Sequence, residues 1–289
     1  MVRRKIRHCS NAHRPPAGEL RAQGSSESPS LPFFDRILYP AGMTTVSTSA
    51  DSPPVVAKRE PSQGLHGRDS LWIQFKIFIK QASPLVLLAN FLGLLAWRVW
   101  HGGYDAFDAV PIVGVLIYWP LQEWAAHRWI LHLKPFKVFG LTIDPEFPRK
   151  HREHHMEPWN IKLTLLPTST VLVLVPIHIF AWILIMGEMQ HALTGMVAFA
   201  GMALIYEWVH YLTHTSYVPR TSYYRRLWRN HRLHHYKSEH YWYGFIIPWV
   251  DTVLGTEPDF NQVATSPTCR NLGVDEDNLS AARAHDASA

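Results

Sequence analysis

Histidine spacing is the feature of this sequence most able to do chemistry. The chain has 18 histidines, and ten of them form four tight clusters. These are His127-Arg-Trp-Ile-Leu-His132, His151-Arg-Glu-His154-His155, His210-Tyr-Leu-Thr-His214 and His231-Arg-Leu-His234-His235. Spacings of three and four place side chains on one helix face. His151, His154 and His155 can therefore aim at one place, as can His231, His234 and His235. His210 and His214 are one turn apart. His127 and His132 are about 140° apart around a regular helix, so either the helix distorts there or the two reach different metals. Neutral imidazole suits Fe, Zn, Cu and Ni alike. Ten exceed the roughly four to six ligands that one ion takes, and two ions would take them comfortably. Ten imidazoles that carried protons would repel one another. Acid should therefore release the metal as pH drops through about 6.5.

Carboxylates are expected to orient some of these rings by accepting the second ring N–H. Glu123 and Glu207 stand about one turn before His127 and His210; Asp251 and Glu153 are weaker candidates. The alternative for both glutamates is a polar residue at a membrane boundary. His240 reads as a surface histidine before it reads as an eleventh ligand. His178 falls inside an apolar stretch, as a functional group or a hydrogen-bonded one. No catalytic side chain is singled out. Trp119, Trp124, Trp129, Tyr206 and Trp208 lie near the boxes, as interfacial anchors or as walls of an apolar channel.

These clusters need elements to carry them. Four apolar segments, at 84–100, 109–126, 165–186 and 192–213, are candidates to cross a bilayer. A simple soluble globule is excluded. Arg98 closes the first segment, where it can snorkel. Pro111, Pro120, Pro167 and Pro176 should start or kink helices. Residues 69–83 read as an amphipathic helix along the membrane surface, with Leu71, Trp72, Phe75, Phe78, Ile79 and Ala82 on one face and Gln74 off it. The links 101–108 and 187–191 carry no Lys or Arg, whereas 128–162 and the stretch after 213 are rich in both. The positive-inside rule then puts both termini and all four clusters on the cytosolic side. That means an inner membrane in a bacterium or the endoplasmic reticulum in a eukaryote.

Residues 1–68 and 259–289 read as polar tails around a membrane domain at 84–258. Met43 is an alternative start. The formal charge of +5 fits basic residues beside membrane segments rather than nucleic acid. Cys9 and Cys269 are the two cysteines. They exclude a disulfide framework and a Cys-based zinc site.

The box pattern resembles the fatty acid hydroxylase/sterol desaturase superfamily. Three features bring it near the fatty acid 2-hydroxylase branch, in the form without a cytochrome b5 domain. These are Glu123-Trp-Ala-Ala-His127 leading to His132-Leu-Lys134-Pro135, the long gap to His151, and Tyr243-Gly244 followed by Asp251-Thr-Val-Leu-Gly255-Thr256. The resemblance covers about 84–258. It implies an all-α integral membrane fold of about four transmembrane helices, capped by a cytosolic histidine-rich domain. It further implies two Fe ions held by the ten histidines, O2 as oxidant, and hydroxylation of an alkyl C–H in a fatty acyl chain or sphingolipid. Zn substitution in purified protein is expected. Val250 separates Trp249 from Asp251, where many relatives place the aromatic directly before Asp. His101-Gly102-Gly103 is only a fragment of a haem motif, so the resemblance implies a separate donor, cytochrome b5-like or ferredoxin-like with its reductase. Arg225, Arg226, Arg229 and Arg232 could meet that donor or anionic headgroups. Rival readings are a sterol or carotenoid hydroxylase, a desaturase, or a non-enzymatic metal-binding or transport protein. Transporters place their ligands near the midplane, unlike these clusters.

Overall fold

The computed structural model describes residues 70–274; the expectations for 1–68 and for 275–289 lie outside them. The described chain is mostly helical. Helices α1 (Leu71–Phe78) and α2 (Ala82–His101) are followed by a short 3-10 turn at Ala106–Asp108 and by α3 (Ala109–Ala125). A π-helical stretch, Ala126–Leu131, continues α3 without a break. An antiparallel hairpin follows, β1 (Phe136–Val138) with β2 (Leu141–Ile143), in the register Phe136 opposite Ile143. Next come α4 (Glu146–Met156), α5 (Ile161–Thr164), α6 (Thr168–Met186), α7 (Met189–Thr213), α8 (Ser222–Tyr236) and α9 (Trp249–Val253).

Among the described residues, three segments are long and apolar enough to cross a membrane: Ala82–His101, Ile161–Met186 and Met189–Thr213. Helix α3 has 17 residues and is extended by the six of the π stretch. Pro120 and Pro176 lie inside helices; Pro167 caps α6. Helix α7 runs through the centre of the bundle and packs on α2, α3 and α6. Its Ala192, Leu193, Met196 and Ala200 are buried with Trp119 and Val115 of α3 and Leu94 of α2.

Two expectations are corrected here. Helix α1 buries Gln74 and Phe78, while Trp72 and Phe75 are exposed. Tyr211 donates a 2.6 Å hydrogen bond to the Gln74 carbonyl oxygen, and Phe78 packs between Trp208 and Tyr211. A hydroxyl partner on α7 turns the inner face toward Gln74, which hydrophobicity alone assigns outward. Arg98 does not snorkel either. It is buried, with Nη2 2.8 and 2.9 Å from the two Asp108 carboxylate oxygens and Nε donating to Thr194 Oγ1 at 2.6 Å. This network ties the end of α2 to the starts of α3 and α7. Breaking a buried pair strands its other member, so Arg98→Met should cost about 3 kcal/mol or more in unfolding free energy. The double change Arg98→Met/Asp108→Asn should recover much of that loss. Thermal unfolding in detergent reads both.

Candidate metal centre

All four histidine clusters meet at one end of the bundle. His127, His132, His151, His155 and His234 form one group, and His154, His210, His214 and His231 a second; within each, one donor nitrogen per residue lies within 4.8 Å of all the others. His235 stands between them. Its Nε2 is 3.0 Å from His231 Nε2, and its ring centre is 4.2 Å from that of His155.

The π stretch answers the question of the five-residue spacing. A π turn closes i to i+5, so His127 and His132 return to the same side and join one group. Helix α4 adds His151 and His155 to the first group and His154 to the second; α8 adds His234 to the first and His231 to the second. Their local framework is firm. Thr221 caps α8 by accepting from Tyr224 N at 3.1 Å, and Asn230 donates to Glu257 at 2.9 Å. Arg152, wholly buried, donates to Leu133 O and pairs with Asp144, fastening the hairpin to α4.

Backbone carbonyls set the ring tautomers. His127 Nδ1 is 2.8 Å from Tyr243 O, His234 Nδ1 is 2.8 Å from Tyr241 O, and His155 Nδ1 is 2.9 Å from Cys269 O. A carbonyl oxygen only accepts, so each Nδ1 carries the proton and each Nε2 keeps its lone pair. Among the described residues, His127, His151 and His155 have buried Nε2 atoms with no hydrogen-bond partner, and His154 has neither nitrogen partnered. Orphaned buried nitrogens ordinarily cost about 1–3 kcal/mol each. Their convergence in two groups fits a pair of transition-metal ions, for which neutral imidazole is a good ligand.

The four carboxylates do something other than was expected. None of their hydrogen bonds among the described residues goes to an imidazole. Glu123 accepts from the backbone N–H of Phe245 and Ile246 and from Trp119 Nε1. Asp251 accepts from Tyr243 N at 3.0 Å, Gly244 N at 2.7 Å and Thr256 Oγ1 at 2.6 Å. Both therefore anchor the 241–247 loop, whose carbonyls in turn hold His234 and His127. Gly244 has no room for a Cβ, which would meet Val250 Cγ1 at 2.5 Å and Asp251 Oδ2 at 2.9 Å. Glu207 accepts from Ser83 Oγ at 2.5 Å and Leu166 N at 2.9 Å, joining α2 and the start of α6 to α7. Glu153 is buried and pairs with Lys150 at 3.3 Å.

Sequence reasoning missed the carbonyls of Tyr241, Tyr243 and Cys269, since a backbone acceptor has no side-chain signature. It also read Cys269 as part of a polar tail. The chain instead folds back through Val274: Ser266 N donates to Lys237 O at 2.7 Å, and Cys269, Leu272 and Val274 are buried. His240 is largely exposed beside Glu239 and joins neither group. His178 bonds to Leu174 O at 2.8 Å and lies 4.1 Å from the Phe199 ring, away from both groups.

Burial pushes the imidazoles well below their ordinary range, and neighbouring imidazoles add to the effect for most of them. His155 is lowered to about 3 by burial, against the pull of its carbonyl partner. His132, His151, His154, His214, His231, His234 and His235 all move the same way. Burial therefore favours release of the metal below the solution value of about 6.5. Unfolded imidazoles take up protons below about 6.5 that the folded ones refuse, so the metal-free protein should lose stability as pH falls through that window. The slope is about 1.4 kcal/mol per pH unit for each fully titrating group. Thermal unfolding of stripped protein at pH 7.5 and 5.5 reads this. Metal-loaded protein should keep its metal at pH 6; half-release near 6.5 would contradict the burial argument.

An apolar cavity of about 180 Å³ reaches this end of the bundle from within the helices. It is lined at the histidine end by Tyr206, Glu123, Ala126 and Leu131, and further in by Trp119 and Phe199. A smaller pocket shares Leu131, Phe147, Leu166 and Tyr206 with it and touches His151 and His210. Of the aromatic residues near the boxes, Trp119 and Tyr206 line the cavity. Trp124 packs on Tyr243 and donates to Thr256 at 2.9 Å, and Trp208 covers Phe78.

A family model described as fatty acid hydroxylase matches residues 112–256. Two dihydroceramide fatty acyl 2-hydroxylases of Arabidopsis thaliana are similar to the chain. One is 28% identical over 56% of this chain and 65% of its own length; the other is 27% identical over 71% and 83%. A ceramide very long chain fatty acid hydroxylase of Schizosaccharomyces pombe is 31% identical over 52% of this chain and 43% of its own. The fold is similar to that of a solved chain described as full-length scs7p with only its hydroxylase domain visible. The TM-score is 0.51 at 18% identity, covering 66% of this chain and 72% of that one. With half of its length matched by the family model, boxes included, the chain belongs to the fatty acid hydroxylase family.

Proposed function

We propose that this protein is an O2-dependent di-iron membrane oxygenase that hydroxylates an alkyl C–H of a lipid. The observation that carries the reading is an apolar cavity inside the helices whose lining meets two converging groups of neutral imidazoles. The substrate class is a fatty acyl chain, free or in a ceramide-type sphingolipid, in keeping with the names of the relatives. Hydroxylation at the 2-position would present the carbon beside the acyl carbonyl at the mouth and lay the rest of the chain into the cavity.

The ten histidines hold the two ions, His127, His132, His151, His155 and His234 one, His154, His210, His214 and His231 the other, with His235 between. When bound, the metal pair supplies the redox chemistry that side chains lack, with O2 as oxidant, for cleaving a strong C–H bond. The protein's own part is positioning. Carbonyls of Tyr241, Tyr243 and Cys269 fix the rings, Glu123 and Asp251 fix the loop that carries two of those carbonyls, and the cavity keeps water from the chain. Helix α3 with its π extension is the fourth span. The histidine end and both termini face the cytosol in this reading, which the basic stretches support. Electrons come from a cytochrome b5-like or ferredoxin-like donor. Arg225 and Arg229 are exposed toward an acidic partner; Arg226 pairs with Glu257, and Arg229 Nη2 also lies 3.8 Å from that carboxylate.

Reconstitution with a reduced donor, lipid and 18O2 tests the activity. One 18O atom per hydroxylated product is expected; label arising from water, or product formed without O2, would refute it. Protein purified with zinc should be inactive until iron replaces the zinc.

A further inference from the structure

The cavity ends against Trp182. It lies between α3 and α6, which stand apart, and α2 and α7 close it. Its lining runs from Tyr206 at the histidine end to Leu94, Trp182 and Met196. Tyr206 and Met196 are separated by about 15 Å along α7 at the helical rise. Trp182 is buried, and its ring lies directly on the backbone of Gly195. A Cβ at Gly195 would fall 2.3 Å from Trp182 Cε3, 2.5 Å from Cζ3 and 2.7 Å from Cδ2. The missing side chain is the recess that lets the indole reach across the bundle. One residue before Gly195, Thr194 belongs to the polar Arg98–Asp108 network. Among the described residues, the cavity is lined by none of α6 beyond Trp182, none of α7 before Met196 and none of α2 beyond Leu94.

We propose that Trp182, seated on Gly195, is the stop that fixes the longest alkyl chain the cavity accepts. This rests on reading the cavity as the acyl site. A methylene past the stop must displace a packed indole, and well-packed interiors resist added volume. Shortening the indole opens apolar space, and each methylene that enters it gains about fourfold in affinity. A methyl at Gly195 acts oppositely, because it collides with the ring and drives it off its seat into the cavity.

Full-length, metal-loaded protein in nanodiscs is given an equimolar series of saturated fatty acids of graded length. Bound chains are measured by mass spectrometry, and hydroxylated products in parallel. Wild type should show a length cut-off, Trp182→Ala should move it to longer chains, and Gly195→Ala to shorter ones. Trp182→Phe should give a smaller shift in the same direction as Ala and serves if the Ala variant does not fold. An unmoved cut-off in a folded Trp182 variant overturns the stop, as does wild type that binds chains without a cut-off or binds none. Binding with a shifted cut-off but no hydroxylated product from any chain leaves the stop standing and sinks the functional reading.

Discussion

His154→Ala should leave the protein inserted in the membrane, deprive the second histidine group of its ion and abolish product. His154 is the ring most committed to the interior. It is wholly buried, has no hydrogen-bond partner on either nitrogen, and lies 4.5–5.0 Å from the rings of His214, His235 and His210. Nothing in the fold depends on its hydrogen bonds, so the substitution removes a buried polar burden as well as volume. Losing an outer hydrogen-bond partner of a ligand typically costs about 10–100-fold; losing a ligand should cost more, at least about a thousandfold in turnover. His234→Ala should be equally severe for the first group and should also release Tyr241 O. Metal content per protein and product formation check both, with membrane fractionation as the control. Retained turnover in either variant would remove that residue from the ligand set.

Glu123→Leu should weaken metal binding about 10–100-fold although Glu123 touches no imidazole. Its carboxylate is the buried acceptor for the N–H groups of Phe245, Ile246 and Trp119. Leucine would leave all three donors unpaired, at about 1–3 kcal/mol each. The loop would relax, and with it the Tyr243 carbonyl that fixes His127. Glu123→Gln keeps an acceptor for the two backbone donors but turns an amide NH2 toward Trp119 Nε1. Glu123→Gln with Trp119→Phe removes that clash of donors and should recover part of the affinity. A role in mere packing would predict Leu at least as good as Gln. Titration of stripped protein with Fe(II) or Co(II), with the ligand-field spectrum of the cobalt form, distinguishes the two.

The convergence of the histidine clusters was legible in the sequence because imidazoles at helical spacings leave a mark that survives without coordinates. Three of the four apolar segments were legible from their length and hydropathy; the segment at 109–126 is not among the three long and apolar enough to cross a membrane. What was not legible was the route by which the rings are held. The five-residue step from His127 to His132 was ambiguous until the π turn resolved it, since no local propensity announces one wide turn. Glu123 and Asp251 were expected to accept an imidazole N–H and instead hold the 241–247 loop. Their partners are backbone amides from a loop more than a hundred residues after Glu123, which no spacing rule connects. Gln74 read as outward-facing because its partner, Tyr211, is on a distant helix. The 259–274 segment read as tail because its buried apolar residues Cys269, Leu272 and Val274 are too few to show a period, yet it supplies the carbonyl for His155.

Crystals of iron-supplied protein, measured at the iron absorption edge, test the central claim most directly. Two anomalous peaks are predicted, one within the group of His127, His132, His151, His155 and His234, the other within that of His154, His210, His214 and His231. A single peak, or iron bound away from these nitrogens, would contradict it.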